Sequence, residues 1–153
     1  MIKEGDILKN LIINFDDSTS LKLNELKESN FIFYFYPKDD TPGCTKEALA
    51  FNEKLSKINQ LNFRVFGISK DSISKHLKFK AKYNLNFSLI SDEDLKICKE
   101  FGVWVEKSMY GKKYMGVQRS TFLVVKGLKV IKIWRNVKVN GHVEEIIEFI
   151  EKI

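Results

Sequence analysis

The chain has 153 residues, of which 44% are hydrophobic and 30% charged, which is typical of a globular protein and not of a disordered or membrane-spanning chain. Its net charge of +6 does not predict a nucleic-acid site, because the lysines are interleaved with acids and no run of five like charges occurs. The N-terminal segment MIKEGDILKN does not resemble a signal peptide, and two cysteines do not make a disulfide framework, so we expect a cytoplasmic protein.

The N-terminal part of the chain predicts a hairpin that leads into a buried strand. Strand-like segments at residues 11–15 and 20–23 are separated by the turn sequence DDS at residues 16–18. Residues 31–36, FIFYFY, are all aromatic or β-branched, so they cannot form an amphipathic element. Such a run is typical of a strand that is buried on both faces in the middle of a sheet. Pro37 ends the strand because it lacks a backbone N–H donor.

A helix start follows in the sequence TPGC. Thr41 suits the N-cap position, and Pro42 suits the first helical position, where its missing N–H would have had no partner. Cys44 then falls at the third helical position, where backbone N–H groups are unpaired and the helix dipole is positive. This arrangement predicts a reactive thiolate at Cys44.

The rest of the chain alternates predicted helices and strands and ends in a helix. The predicted helices cover residues 42–61, 71–83, 93–101 and 142–153, and the predicted strands cover residues 62–69, 87–90, 120–125 and 129–134. Residues 106–118 contain two glycines and predict a loop or a loose hairpin. In the helix at residues 71–83, the apolar spacing places Ile73, Leu77 and Ala81 toward the core. This order predicts an α/β fold with a mixed central sheet flanked by helices, in a single domain covering residues 1–153.

The segment PKDDTPGCTKEA resembles the active-site segment of the peroxiredoxins, whose pattern P-x-x-x-T-x-x-C falls here on Pro37, Thr41 and Cys44. Its TPGCT form is similar to that of the bacterioferritin comigratory protein group, also called peroxiredoxin Q. Further short segments resemble that group in the same order along the chain: GD, ISKDS, SDED, FGVW and RSTF. The resemblance therefore extends over nearly the whole chain, and it implies a thioredoxin-like fold.

The resemblance also implies a thiol peroxidase without a cofactor, in which Cys44 attacks hydrogen peroxide or an organic hydroperoxide and becomes a sulfenic acid. Ionising most of a thiol at neutral pH takes about 3.4 kcal/mol, whereas a helix N-terminus supplies about 0.3–1 kcal/mol and at most about 2. A cation must therefore approach from elsewhere, and the resemblance identifies it as Arg119. Thr41 and Arg119 are expected to hold the peroxide. Supporting roles are implied for three residues: Pro37 as a shield, Gly43 through its N–H group, and Glu47 as an acceptor for Arg119.

The route by which the sulfenic acid is reduced depends on the second cysteine. Many members of the group carry a resolving cysteine five residues after the first, but this position is Leu49 here, and the helix at residues 71–83 contains no cysteine. Cys98 lies among apolar residues at helical spacing, which is typical of a buried core cysteine. We therefore expect a one-cysteine cycle, in which thioredoxin, glutaredoxin or glutathione reduces Cys44, and the resemblance implies a monomer. A Cys44–Cys98 two-cysteine cycle is the alternative.

Two other classes of function remain open from the residues alone. The first is a hydrolase or transferase with Cys44 as nucleophile and His76 or His142 as base, although both histidines are expected at the surface or at helix ends. The second is a thioredoxin-like binding module without peroxidase activity, but the chain lacks a C-x-x-C pair for dithiol exchange. Two cysteines and two histidines without ligand-like spacing do not predict a metal site.

Overall fold

The fold consists of nine strands and five α-helices, and the single helix predicted at residues 42–61 is divided into two, α1 and α2. The strands are β1 (Ile12–Phe15), β2 (Ser20–Lys22), β3 (Asn30–Phe35), β4 (Phe63–Ser69), β5 (Ser88–Ser91), β6 (Trp104–Met109), β7 (Lys112–Val117), β8 (Ser120–Val125) and β9 (Lys129–Trp134). The helices are α1 (Pro42–Glu53), α2 (Leu55–Gln60), α3 (Ile73–Tyr83), α4 (Lys96–Glu100) and α5 (His142–Glu151), with a short 3-10 helix at Leu23–Leu26. The computed structural model describes all residues from Met1 to Ile153. None of its helices combines the length and the apolar character needed to cross a lipid bilayer.

Seven of the strands form one mixed sheet in the order β2-β1-β5-β4-β3-β8-β9. The apolar strand β3 lies inside this sheet, parallel to β4 on one side and antiparallel to β8 on the other. The hairpin β1–β2 joins the sheet through the antiparallel pairing of β1 with β5. The predictions of a mixed sheet, a central β3 and an N-terminal hairpin are therefore confirmed. Strands β6 and β7 form a separate two-stranded hairpin where the sequence predicts a loop or loose hairpin.

The side chains of β3 enter two different cores, because successive side chains of a strand point to opposite faces of the sheet. Every second residue from Phe31 belongs to a cluster of 20 buried residues on one face. The residues between them, from Ile32, belong to a cluster of 18 buried residues to which α1, α3 and α5 contribute. Cys98 lies in the first cluster and Cys44 in the second. The sheet therefore separates the two cysteines.

Helix α3 turns a different side toward the core from the one predicted. Its buried residues are His76 and Phe79, whereas Leu77 is 48% exposed and Ala81 is also exposed. The predicted inward face is therefore wrong, and so is the expectation of a surface position for His76. The physical reason is that both ring nitrogens of His76 find hydrogen-bonding partners inside the protein, which makes burial of this polar side chain possible.

Gly67 of β4 makes room for the ring of Tyr34, its partner on β3. A Cβ atom at residue 67 would lie 2.8 Å from Cζ of Tyr34 and 2.9 Å from Cδ2 of Leu89. We expect Gly67→Ala to lower the free energy of unfolding by about 1–3 kcal/mol in urea denaturation, because overpacking a dense core forces side chains out of position. Gly116→Ala is the control, since its nearest contact is the flexible side chain of Lys107 at 3.2 Å. Equal losses of stability in the two variants would contradict the expected clash.

Candidate active site

The loop after β3 places Cys44 in the first turn of α1. Thr41 takes the N-cap position with an extended backbone (φ −89°, ψ 156°), and Pro42 is the first helical residue. Cys44 is the third residue of the helix and is only 2% exposed. The N–H groups of Gly43 and Cys44 belong to the first turn, where no carbonyl of the helix reaches them. The sulfur therefore lies beside the positive end of the helix dipole, as the sequence predicts.

The hydroxyl group of Thr41 does not cap the helix, although the residue takes the N-cap position. It donates to the carbonyl oxygen of Lys38 at 2.9 Å. A hydroxyl group has one proton and two lone pairs, so Thr41 retains acceptor capacity for a molecule that enters the site. Pro37 is half-buried two residues after the end of β3, at the start of the same loop.

Arg119 connects the sulfur with a buried carboxylate. Its Nη2 lies 3.5 Å from Sγ of Cys44, and its Nη1 donates to Oε1 of Glu47 at 2.7 Å. The arginine precedes β8, whose first residue, Ser120, pairs with Phe35 at the end of β3. Antiparallel pairing therefore places the start of β8 beside the end of β3, where the loop to α1 begins. The predicted approach of Arg119 to Cys44 is present in the structure.

Gly43 and Glu47 both lie against the guanidinium group of Arg119. A Cβ atom at Gly43 would lie 3.2 Å from Nη2, so the absence of a side chain lets the guanidinium come close. Glu47 is 1% exposed, and burial raises its pKa to about 7, although Arg119 acts in the opposite direction. Burial lowers the pKa of Arg119, but Glu47 and Cys44 raise it more, so that the pKa lies above its ordinary value. The Oε2 atom of Glu47 is buried without a hydrogen-bonding partner.

Lys107 of β6 is a charged neighbour of the site that the sequence analysis missed. Burial lowers its pKa, the charge of Arg119 acts in the same direction, and Cys44 acts in the opposite one. The three groups therefore influence one another electrostatically. Strand β7, which pairs with β6, ends shortly before Arg119, and this places the hairpin beside the site. No pattern in the segment EKSMYGKKYMGVQ distinguishes this lysine from its neighbours.

Cys98 is not brought to Cys44. It is fully buried in the cluster on the other face of the sheet, and both cysteines are free thiols. The backbone N–H of Cys98 donates to Oδ2 of Asp92 at 2.7 Å. Burial raises the pKa of the Cys98 thiol, and the charge of Asp92 adds to this effect. These surroundings keep Cys98 as a neutral thiol.

Neither histidine lies within hydrogen-bonding distance of Cys44. His76 bonds to Asp39 and to a backbone carbonyl, as described below. His142 is the first residue of α5, as expected for a helix-end residue, but it is buried and its Nε2 lies 2.7 Å from Oγ1 of Thr121. Burial lowers the pKa of His142 to about 4. The structure therefore provides no base for a cysteine hydrolase.

One group of side chains has the ligand types that a metal ion requires. Ligand atoms of Asp39, Asp71 and His76 lie within 4.8 Å of one another. These atoms already bond to one another and to neighbouring groups, since Oδ2 of Asp39 contacts Nδ1 of His76 at 2.6 Å and Oδ2 of Asp71 accepts from the hydroxyl of Ser69 at 2.6 Å. We therefore assign the group to the anchoring of the loop and not to a metal.

A family model, curated relatives and solved structures all match this chain and point to the same family. The model of the AhpC/TSA family matches residues 5–133. Peroxiredoxin Bcp of Bacillus subtilis is 43% identical over 147 residues, which are 96% of this chain and 94% of that protein. The crystal structure of a Xylella fastidiosa PrxQ mutant has a TM-score of 0.94 at 38% identity and covers 99% of this chain and 97% of its own. A structure from work on the alkyl peroxide reduction activity of Xanthomonas campestris bacterioferritin comigratory protein has a TM-score of 0.88 at 38% identity, with coverages of 93% and 90%.

The raised pKa of Glu47 predicts a pH dependence of stability. The pKa is about 7 in the folded chain against an ordinary 4.5, so the folded state favours the protonated form, and the stability that this contributes is lost as pH rises from about 4.5 to about 7. Glu47→Gln removes this dependence. We expect the free energy of unfolding of the variant, relative to the wild type, to grow over that interval by up to about 3 kcal/mol, at 1.36 kcal/mol per pKa unit.

The measurement is urea denaturation of both proteins at several pH values. Glu148→Gln is the control, because Glu148 is 68% exposed in its pair with Lys152 and is not expected to show this trend. A difference between Glu47→Gln and the wild type that stays constant with pH would contradict the raised pKa of Glu47.

Proposed function

Because the chain belongs to the AhpC/TSA family and, within it, to the Bcp/PrxQ group of peroxiredoxins, we propose that it reduces hydroperoxides through a sulfenic acid at Cys44. Peroxiredoxins are thiol peroxidases, and the chain is therefore an enzyme. The observation that carries the assignment of the site is the 3.5 Å contact between Sγ of Cys44 and Nη2 of Arg119. It places a permanently charged group beside a sulfur that already lies at a helix N-terminus.

The reaction begins with attack of the Cys44 thiolate on one oxygen of the hydroperoxide, in line with the O–O bond. An S–O bond forms while the O–O bond breaks, and the leaving alkoxide or hydroxide takes up a proton to become an alcohol or water. Arg119 stabilises first the thiolate and then the negative charge on the leaving oxygen. The N–H groups of Gly43 and Cys44 add further donors at the same end of the helix.

Thr41 orients the hydroperoxide. Its proton is directed to the carbonyl of Lys38, so its oxygen accepts the O–H of the substrate. Glu47 holds the other nitrogen of the Arg119 fork and thereby fixes the direction of the guanidinium. Pro37, at the start of the loop, shields the sulfur from water. Each of these roles contributes by holding reacting atoms in place.

An external thiol completes the cycle. It attacks the Cys44 sulfenic acid with loss of water, and a second thiol then releases Cys44 from the mixed disulfide. The one-cysteine route is supported by the burial of Cys98 on the opposite face of the sheet and by its neutral thiol. A Cys44–Cys98 disulfide would require the chain to leave this arrangement. We propose thioredoxin, glutaredoxin or glutathione as the reductant, in a cytoplasmic monomer.

The proposed substrates are hydrogen peroxide and organic hydroperoxides. The organic class is supported by the alkyl peroxide reduction activity named for the structural relative from Xanthomonas campestris. A hydrolase or transferase is disfavoured, because the hydrogen-bonding partner of the Cys44 sulfur is Arg119 and not a histidine.

The assignment of Cys44 is tested by intact-mass measurement after one equivalent of hydrogen peroxide. We expect the wild type and Cys98→Ser each to gain one oxygen atom, because only Cys44 lies beside a cation. Cys44→Ser should neither change mass nor consume peroxide. Oxidation of Cys44→Ser would contradict the assignment. A loss of two hydrogens in the wild type but not in Cys98→Ser would show the two-cysteine cycle instead.

The role of Arg119 is tested by Arg119→Lys, which keeps the charge but removes the fork that contacts Cys44 and Glu47 together. We expect the second-order rate constant of Cys44 oxidation, measured by stopped flow, to fall about 100-fold. Arg64→Lys is the matched control, since Arg64 is exposed on β4 and stacks on Phe66. An unchanged rate in Arg119→Lys would remove the arginine from the mechanism.

A further inference from the structure

The loop between β3 and α1 is attached to α3 by a buried contact between the side chains of Asp39 and His76. Asp39 lies in this loop, and its Oδ2 is 2.6 Å from Nδ1 of His76 on α3. Its Oδ1 accepts a hydrogen bond from the hydroxyl of Tyr36 at 2.5 Å. The side chain of His76 is 0% exposed and that of Asp39 is 6% exposed. Neither residue contacts Cys44, and the mechanism above uses neither.

Both ring nitrogens of His76 have partners inside the protein. Nδ1 lies 2.6 Å from Oδ2 of Asp39, and Nε2 lies 3.0 Å from the carbonyl oxygen of Ile90. His76 therefore links the loop to α3 and to β5 through two buried hydrogen bonds.

A hydrogen bond between two buried polar side chains contributes little to stability alone, because folding exchanges hydrogen bonds with water for hydrogen bonds within the protein. Hydrophobic residues of similar volume would often serve a core as well. The position of this pair on the loop between Pro37 and Thr41 suggests that it serves the loop.

The connection to the site runs through one peptide group. The N–H of Asp39 donates to Oδ2 of Asp71 at 2.9 Å, and the C=O of the same peptide unit, which belongs to Lys38, accepts the proton of the Thr41 hydroxyl at 2.9 Å. Because the peptide unit is planar, the orientation of its N–H fixes the orientation of its C=O. Asp71 binds the N–H of this peptide, and the position of Asp39 therefore sets the direction in which the Thr41 proton points.

We propose that His76 is a positioning residue of the peroxidase: its hydrogen bond to the side chain of Asp39, together with the bond of Asp71 to the Asp39 N–H, holds the Lys38–Asp39 peptide, which takes the Thr41 proton and leaves the Thr41 oxygen to accept from the hydroperoxide. This inference rests on the proposed function. The charged and polar groups that face the pair are Tyr36 and Asp71. Asp40, the next residue, carries a second link to α3 through Lys82 at 2.8 Å, but that pair is exposed.

The test uses two variants that separate positioning from folding. His76→Leu removes one of the two side-chain partners of the buried Asp39 carboxyl group and is expected to lose stability. Asp39→Asn/His76→Leu replaces both members of the contact, so we expect the fold to remain while the anchor is lost. We expect this double variant to slow the oxidation of Cys44 by hydrogen peroxide at least about tenfold, with an unfolding free energy close to that of the wild type.

The exposed pair of Asp40 and Lys82 supplies the control. Lys82→Met removes a link between the same loop and the same helix, and it should leave both the rate and the stability unchanged. A wild-type rate in the folded double variant would overturn the proposal. Failure of the wild type itself to react with peroxide would instead overturn the proposed function, so the two failures are distinguishable.

Two further measurements examine the route through Thr41. In a Thr41→Val background, the double variant should slow the reaction much less than in the wild type, because the hydroxyl to be positioned is absent. If the double variant slows Cys44 oxidation equally in the Thr41→Val background, the effect does not pass through the Thr41 hydroxyl. That result would overturn the proposed role of His76. In ¹⁵N NMR spectra of the wild type, Nδ1 of His76 should show the chemical shift of a hydrogen-bonded nitrogen, and an Nδ1 without a hydrogen bond would overturn the contact with Asp39.

Discussion

The site depends on one guanidinium group that is shared between two partners. Arg119 directs one nitrogen to Sγ of Cys44 and the other to Oε1 of Glu47. The guanidinium adds a permanent positive charge to the partial charge of the helix N-terminus. The buried carboxylate, in turn, fixes the direction of the planar fork. This arrangement exists only because the antiparallel pairing of β8 with β3 brings the start of β8 to the end of the central strand.

The central sheet gives the two cysteines opposite properties. The alternation along β3 separates two cores, and each core receives one thiol. Cys44 lies at a helix start, beside a cation and close to the loop. Cys98 lies in an apolar cluster near Asp92, where burial raises the pKa of its thiol. The same residue type thus lies beside a cation on one face of the sheet and in an apolar core on the other.

Helix α3 shows how a polar contact can override an apolar pattern. The spacing of Ile73, Leu77 and Ala81 predicts the wrong inward face, because the helix buries His76 instead. That burial is possible since a carboxylate from the loop and a carbonyl from β5 satisfy both ring nitrogens. The helix orientation and the anchoring of the loop are therefore consequences of one set of hydrogen bonds.

The sequence by itself determined the elements whose signals are local. The aromatic run at residues 31–36, the helix start at Thr41 and the third helical position of Cys44 follow from side-chain periodicity and from the backbone chemistry of proline, and the peroxiredoxin resemblance added the family and its thioredoxin-like fold. The resemblance named Arg119, but only the tertiary structure shows how Arg119 reaches Cys44, places Cys98 behind the sheet, brings Lys107 near the site and buries His76. These relations join residues far apart in sequence, and they are set by strand order and packing, which no local pattern contains.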